Sequence, residues 1–403
     1  MKSISKLFAG LLAFGVIGAA SAQTVITITG STAFRGSAHQ GILDLMTGES
    51  YAYTGSDLNG ARYAIFTGNV PNVPGTVTVK TSWSGSITGI VSVRNSTNVP
   101  TLPNSTTQSP SGNGGLNENL ATENSVPDLS FSDVSQTSTP FSTTALQERP
   151  VGIIPFQVVA SNSAPANLTN MTSQLMRQLF SNGFIPIAMA TGSPADRTTL
   201  VNSTFGNTPQ GGGGPQPFRL FALGRNAGSG TRFITLAEPG IGVNSSIQQW
   251  DPSQNLTATT VTNHRLWPAE TVNGIFYSEG NSGYSSGSQL RGVMRLSTTA
   301  GLGGAYITVL GVDDAADVAA PTGGGNGPGK TLTYNGVAYS ATKVQEGQYS
   351  FWAFQQLINR QPLSGPLGIF VNGLVPLIRS SDPIYNALQV DRANDGSTIF
   401  PLY

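Results

Sequence analysis

A strand that runs into a glycine-rich turn and then into a helix is the feature that most constrains this chain. Residues 218–223 are predicted as a strand leading to residues 225–231, RNAGSGT. Apolar residues at helical spacing follow and predict a helix that begins near Ser229. Helix N-termini expose unpaired N–H groups with a partial positive charge, and glycine lets a ligand approach them closely. The stretch therefore predicts an oxyanion site, with an ordinary glycine loop capped by Ser229 as the open alternative.

Similar turns occur earlier in the chain. Residues 24–29, TVITIT, are predicted as a strand rich in β-branched residues, and they run into residues 30–36, GSTAFRG, and then a helix pattern. A second glycine–serine turn, SGSITGI, spans residues 84–90. Asp133 lies among small polar residues, where capping of a helix N-terminus is the alternative to a ligand contact.

Composition excludes several classes of function. Only 10% of the residues are charged and the net charge is zero, which argues against nucleic acid as a partner, because phosphate backbones attract clustered lysine and arginine. The chain has no cysteine, so disulfides, thiolate metal sites and cysteine nucleophiles are excluded. His39 and His264 are the two histidines, and neither lies in a recognisable catalytic setting. We predict that both are structural or lie at the surface, and we predict no metal site and no cofactor.

The N-terminal residues are typical of a secretory signal peptide. Lys2 and Lys6 precede an apolar run over residues 7–20, and Ala20-Ser21-Ala22 matches the small-x-small cleavage pattern. A membrane anchor is the alternative, but the run is too short to span a bilayer. The sequence thus predicts a signal peptide over residues 1–22 and an exported mature chain without a transmembrane segment.

Three further stretches carry predictions. Residues 95–124 are dominated by Asn, Ser, Thr, Pro and Gly, which indicates a long surface insertion with partial disorder. Residues 151–160 are predicted as a buried strand or a crossover between domains, and residues 349–358 as a helix packed in the core. Residues 324–331, GGNGPGKT, fit the P-loop pattern, but a loop precedes them and a strand is predicted from residue 331. We reject a nucleotide site there, because a P-loop needs a strand before it and a helix after it.

Taken in order, these turns resemble those of the phosphate-binding proteins of ABC transporters. The most specific part of the resemblance is residues 225–231, and it extends over most of the mature chain. It implies an α/β fold, the two-lobed type II periplasmic-binding-protein fold with long loop insertions. The first lobe would comprise residues 23–152 and 304–403, with the insertion at about 95–124, and the second lobe would comprise residues 153–303.

The resemblance also implies which residues bind phosphate. From the first lobe these are Ser31, Thr32, Ala33, Phe34, Ser86 and Asp133, and from the second lobe Arg225, Ser229, Gly230 and Thr231. The family has threonine directly before phenylalanine in its first turn, so the order here leaves open which hydroxyl serves. The aspartate would accept the proton of hydrogen phosphate. Sulfate carries no such proton at neutral pH, so this carboxylate would exclude it.

The function implied is that of an exported solute-binding protein without catalytic activity. It would capture inorganic phosphate or a related oxyanion in the interlobe cleft, as a monomer, and deliver it to an ABC transporter permease. Its location would be the periplasm, or else the cell surface or the extracellular space. The alternative is a cell-surface or extracellular structural protein that keeps the fold without a ligand. A hydrolase is a third hypothesis, disfavoured because no nucleophile–base pair or metal cluster is evident.

Overall fold

The computed structural model describes residues 23–198, 200–203, 214–252, 256–257, 260–261, 264–298, 303–320, 328–360 and 362–402. The predicted signal peptide lies outside these residues, as does the first half of the P-loop-like stretch, residues 324–327. Lys330, near the end of that stretch, begins a strand and not the helix that a P-loop requires. Within the described ranges, no helix has both the length and the apolar character that crossing a membrane requires.

The strands are numbered in chain order. They are β1 Thr24–Gly30, β2 Thr47–Thr54, β3 Tyr63–Asn69, β4 Val77–Trp83, β5 Val99–Thr101, β6 Asn113–Leu116, β7 Glu123–Ser125, β8 Leu129–Ser132, β9 Gln147–Ala160, β10 Asn170–Met171, β11 Phe184–Pro186, β12 Leu200–Ser203, β13 Gly214–Pro217, β14 Arg219–Ala222, β15 Trp250–Asp251, β16 Leu256–Thr257, β17 Thr260–Val261, β18 Arg265–Leu266, β19 Glu270–Val272, β20 Ile275–Tyr277, β21 Ser297–Thr298, β22 Gly304–Gly311, β23 Lys330–Tyr334, β24 Trp352–Asn359, β25 Val390–Arg392 and β26 Ile399–Pro401.

The α-helices are numbered in the same way. They are α1 Arg35–Leu45, α2 Ser86–Asn95, α3 Ser173–Asn182, α4 Ile187–Thr191, α5 Pro194–Thr198, α6 Gly230–Ala237, α7 Gly287–Met294, α8 Val312–Ala319, α9 Ala341–Gln345, α10 Gly365–Ser380 and α11 Pro383–Asn386. Short 3-10 helices lie at Glu118–Leu120 and Gln136–Ser138.

One mixed sheet contains most of the long strands and determines where the polar turns lie. Its order is β11-β14-β22-β9-β24-β8-β1-β4-β3-β2-β6, with β23 and β10 attached beside β9. Strand β1 lies between β8 and β4 and is parallel to both, and β14 is parallel to β22. The carboxyl ends of neighbouring parallel strands meet at one edge of a sheet. The turns after β1, β4 and β8 therefore converge, and so do the turns after β14 and β22.

The two lobes are joined through β9 and β24. Residues 147–155 of β9 pair with β24, and residues 156–160 pair with β22. One apolar core lies between the strands around β1 and helices α1 and α10, and another lies around β9, β14, α3 and α6. The predicted α/β fold class is confirmed. The predicted division of the chain into lobes stays a prediction. Strands β22 and β23, which that division assigns to the first lobe, pair with residues 156–160 of β9, which it assigns to the second lobe.

The insertion at residues 95–124 is more ordered than the sequence predicted. It is long, as expected, but it forms β5, β6 and a 3-10 helix, so the expected partial disorder is wrong. Leu102 is fully buried in an apolar cluster with Ala52, Tyr63 and Ile65. Lys80, only 1% exposed, forms an ion pair with Glu123, the first residue of β7 at the end of the insertion (Nζ–Oε2, 2.6 Å). Apolar packing and this ion pair thus hold the segment against the sheet.

Residues 349–358 were predicted as a helix, and this prediction is wrong. Residues 352–359 form β24, which lies between β8 and β9. Trp352, Ala353, Leu357 and Ile358 are all fully buried. A strand that is buried on both faces lacks the alternation of apolar and polar residues, so a short apolar run does not distinguish it from a helix. The strand predicted over residues 151–160 is confirmed as part of β9.

Both histidines are buried and structural. His39 Nδ1 lies 2.8 Å from the carbonyl oxygen of Leu58, and the indole N–H of Trp83 donates to Nε2 at 3.0 Å. These partners suit a neutral ring that donates from Nδ1. Burial lowers the pKa of His39 to about 4 and that of His264 to about 3. A proton on either ring would therefore be disfavoured in the folded state.

We expect His39 to make the protein less stable in acid. The ordinary pKa of 6.5 applies to the unfolded chain, so the unfolded state binds more protons as the pH falls from 6.5 towards 4. The free energy of unfolding should then fall by about 3 kcal/mol more in the wild type than in His39→Asn, which has no group that titrates there. Chemical denaturation at pH 7 and pH 4 measures this difference. Equal losses in both proteins would contradict it.

Candidate functional site

The first lobe presents two turns at the edge where β1 and β4 end. Ser31 is buried, and its Oγ accepts a hydrogen bond from the backbone N–H of Ala33 at 3.1 Å. Thr32 is half-buried and Ala33 is exposed, whereas Phe34 packs its ring against Phe131 with a centroid distance of 4.5 Å. Phe34 is thus a core residue at the N-cap of α1.

Asp133 follows β8 and lies beside these turns, buried to 3% exposure. Its backbone N–H donates to Ser86 Oγ at 3.2 Å, while its Oδ1 has no hydrogen-bond partner among the described residues. Burial raises the pKa of Asp133; the hydroxyls of Ser31 and Ser86 and the guanidinium of Arg225 lower it in part. A buried carboxylate oxygen without a donor is costly, so the site favours a group that brings a proton. The capping alternative does not hold, because the next helix has Ser135 as its N-cap.

Arg225 is the central cation of the second lobe and is only 7% exposed. Its Nε donates to the carbonyl oxygen of Tyr284 at 3.1 Å, and Nη2 donates to that of Ser285 at 2.8 Å. Within the part of the chain that is described, no carboxylate lies within 4 Å of its guanidinium. Burial lowers the pKa of Arg225 to about 10, against the raising effects of Asp133 and Asp314, so it stays charged at neutral pH.

Helix α6 begins directly after this arginine, as the sequence predicted. Ser229 is its N-cap, but the serine side chain makes no capping hydrogen bond, so the capped-loop alternative is not what the structure has. Ser229, Gly230 and Thr231 are all buried. The first N–H groups of α6 therefore point, with the positive end of the helix dipole, towards the junction between the lobes.

The turns of the two lobes are in direct contact. The N–H of Ile87 donates to the carbonyl oxygen of Gly228 at 3.2 Å, across the junction. A Cβ on Gly85 would lie 2.5 Å from that same oxygen, and the φ of +110° also requires glycine there. A Cβ on Gly230 would lie 2.7 Å from Ser86 Oγ and 2.9 Å from Asp133 Cβ. Only glycine allows the start of α6 to approach the first lobe this closely.

A cleft of about 980 Å³ opens beside this junction. Thr32, Ala33 and Phe34 line it from the first lobe, and Arg225 and Thr231 line it from the second. The other predicted residues, which are Ser31, Ser86, Asp133, Ser229 and Gly230, are buried and are not among the residues that line this cleft. Five of the ten predicted residues thus line the cleft and five are buried, and the role of all ten in binding a ligand stays a prediction.

Sequence reasoning missed the contribution of α7 and α8 to the cleft. Ser285, Gln289 and Asp314 line it, and Asp314 also forms an ion pair with Arg291 (Oδ1–Nη1, 3.2 Å). Burial raises the pKa of Asp314, and Arg291 followed by Arg225 lowers it in part. A signal was present, because an acidic pair at residues 313–314 follows the predicted strand at residues 303–310 after a gap of two residues, and polar groups after a strand gather at its carboxyl edge.

Among the described residues, no group of three or more His, Asp or Glu side chains is arranged to bind a metal ion.

Comparisons with known proteins concern the fold alone. No family model and no curated protein matches the chain. Among solved structures, a protein described as a phosphate ABC transporter substrate-binding protein from Clostridium perfringens is 11% identical, with a TM-score of 0.45, and the match covers 87% of this chain and 93% of that chain. An ABC-type phosphate transport receptor from Vibrio cholerae is 12% identical, with a TM-score of 0.41 and the same coverage.

A regulatory domain is also similar to this chain. The CcmR regulatory domain of Synechocystis in complex with 2-PG is 11% identical, with a TM-score of 0.39, and the match covers 89% of this chain and 100% of that domain. The resemblance to phosphate-binding proteins of ABC transporters, predicted from the turns, is thus found among solved structures as well. At these identities and scores the likeness carries no argument about a ligand.

Proposed function

We propose that this chain is an exported solute-binding protein that captures inorganic phosphate, or a related oxyanion, between its two lobes. The observation that carries the proposal is the pairing of a buried guanidinium with a buried, unpartnered carboxylate oxygen. Arg225 has no carboxylate within 4 Å among the described residues, and Asp133 Oδ1 accepts no hydrogen bond. An oxyanion that still carries a proton satisfies both groups at once, because it accepts from the arginine and donates to the aspartate.

Neutral donors around these two residues support the same ligand. The hydroxyls of Ser31 and Ser86 lie beside Asp133, and Thr231 lines the cleft. The start of α6 adds backbone N–H groups and a helix dipole, the usual environment of a bound phosphate. We infer no catalytic step, since the proposed residues only bind and orient an anion.

Binding would be followed by delivery to a membrane transporter. β9 and β24 connect the lobes, and hinge bending at these strands would open and close the junction. Export is proposed from the signal-peptide pattern at residues 1–22, with the periplasm as the favoured location and a monomer as the favoured state. An ABC transporter permease is the partner implied by the resemblance.

One observation favours the alternative of a structural protein without a ligand. The contacts of Gly85 with Gly228, and of Gly230 with Ser86 and Asp133, leave no room for even a methyl group. The turns at residues 85–86 and 228–230 therefore pack directly against each other with no ligand between them. The junction would have to open before an anion could enter.

Calorimetric titration of the mature protein with phosphate and then with sulfate separates these proposals. The protein is unfolded and refolded beforehand, which removes any ligand bound during expression. We expect phosphate to bind and sulfate to give no heat, because sulfate offers no proton to Asp133. If a folded sample responds to neither anion, the receptor proposal fails and the structural alternative stands. Equal binding of both anions would contradict the role of Asp133.

A further inference from the structure

The interlobe cleft is far larger than inorganic phosphate requires. Its volume of about 980 Å³ lies near the upper end of the range of roughly 300–1,000 Å³ that is typical of pockets for whole small molecules. Arg225 and Thr231, two of the proposed phosphate residues, lie on its wall, so an anion held by them would still face most of the open cleft. A phosphate group that carries an organic arm fits this arrangement.

The charges on the cleft wall indicate what such an arm would carry. Among the described residues, the charged side chains that line the cleft are Arg35, Arg62, Arg225 and Arg291, together with Asp57, Glu118, Asp313, Asp314 and Asp382. If Arg225 is engaged by the phosphate, three cations and five carboxylates remain. The part of the cleft beyond the phosphate is therefore acidic and favours a positively charged group.

Asp314 is the carboxylate placed to receive that group. The position that a Cβ on Gly287 would take lies 2.3 Å from Asp314 Oδ2 and 3.7 Å from Arg225 Nη1, so these two atoms lie within about 6 Å of each other. Asp314 and Arg225 form no ion pair with each other. Both Asp133 and Asp314 act on the charge of the Arg225 guanidinium; Asp133 is buried away from the cleft, and Asp314 lines it. Arg291 holds the other oxygen of Asp314, which fixes the carboxylate in place.

We propose that the ligand of this cleft is a phosphomonoester whose arm carries an ammonium group, with Asp314 as the residue that selects the arm. The inference rests on the proposed function, because the phosphate of the ester would occupy the site of Arg225 and Asp133. The ester would bind there as its monoanion, which keeps one P–OH group to donate to Asp133. The ammonium of the ligand would donate a charge-assisted hydrogen bond to the free Oδ2 of Asp314.

Titration with phosphoethanolamine, ethyl phosphate and inorganic phosphate at about pH 6, where the esters still partly carry a proton on the phosphate, tests this inference. Ethyl phosphate has the same two-carbon arm but lacks the terminal amine. We expect phosphoethanolamine to bind about tenfold tighter than ethyl phosphate, the effect of one charge-assisted hydrogen bond that is partly exposed to solvent. In Asp314→Asn this advantage should disappear, with the affinity for ethyl phosphate changed less than about threefold.

Asp317→Asn is the matched control. Asp317 also pairs with Arg291, at 2.5 Å, but does not line the cleft, so its variant should keep the preference for phosphoethanolamine. The inference is overturned if phosphoethanolamine binds no tighter than ethyl phosphate, or if the preference survives in Asp314→Asn. Binding of inorganic phosphate without either ester would refute the inference and leave the proposed function standing. If a folded sample binds none of the three ligands, both the inference and the proposed function are refuted.

Discussion

Replacing Arg225 with glutamine is expected to reduce the affinity for phosphate at least about thirtyfold, because removal of one partner from a buried, hydrogen-bonded charge pair costs roughly 2–5 kcal/mol. Arg225 is buried and already fixed by the carbonyl oxygens of Tyr284 and Ser285, so its remaining N–H groups are positioned before the ligand arrives. Glutamine is too short to keep both carbonyl contacts and carries no charge. Calorimetric titration with phosphate measures the loss.

Two further variants show whether the loss comes from the site. Arg291→Gln removes a guanidinium that lines the same cleft but is already paired with Asp314 and Asp317, so phosphate affinity should change less than about threefold. Arg225→Lys keeps the charge but loses the planar fork, and an intermediate affinity is expected. Circular dichroism verifies that each variant is folded. Unchanged phosphate binding in Arg225→Gln would show that Arg225 does not bind phosphate and would contradict the proposed site.

The second large effect is expected from Gly230→Ala. In most helices alanine is more favourable than glycine by about 1 kcal/mol. Here the new Cβ would lie 2.7 Å from Ser86 Oγ and 2.9 Å from Asp133 Cβ, so the first lobe must move away from α6. We expect the free energy of unfolding to fall by about 1–3 kcal/mol, the usual cost of overpacking, and phosphate binding to be lost. Denaturant titration and calorimetry measure the two effects.

A helical glycine with open space around it gives the control. A Cβ on Gly292, in α7, would meet no atom within 4 Å, so Gly292→Ala should leave stability unchanged or raise it by up to about 1 kcal/mol. The double variant Gly230→Ala with Ser86→Gly removes the Oγ and Cβ that the new methyl group would meet. It should recover part of the stability, and purely additive losses would show that the two residues do not touch.

The beginning of α6 shows what local sequence can predict well. Residues 225–231 combine an arginine, glycines and hydroxyl side chains directly before an apolar helical pattern, and the helix begins at Gly230 with Ser229 as its N-cap. This prediction succeeded because a helix start is decided by neighbouring residues, through φ angles and unpaired N–H groups. The same reasoning placed the strand before the first turn and helix α1 after it.

The strand β24 and the insertion show where local patterns were insufficient. Trp352 to Asn359 became a strand because β8 and β9 pair with its two edges, and those strands come from residues 129–160, far away in the chain. Residues 95–124 are ordered because Leu102 packs against apolar residues of β2 and β3. In both cases the deciding contacts lie outside any local window.

The sequence by itself determined the types of element at the polar turns, the absence of cysteine chemistry and the candidate residues for an oxyanion site. Only the tertiary structure decided how these residues meet, because the parallel pairing of β8, β1 and β4 gathers Ser31, Ser86 and Asp133 at one edge. The pairing of β14 with β22 likewise places Asp314 opposite Arg225, although almost ninety residues separate them. The physical reason is that the sequence pattern sets local backbone geometry, whereas strand order sets which distant side chains share one cleft.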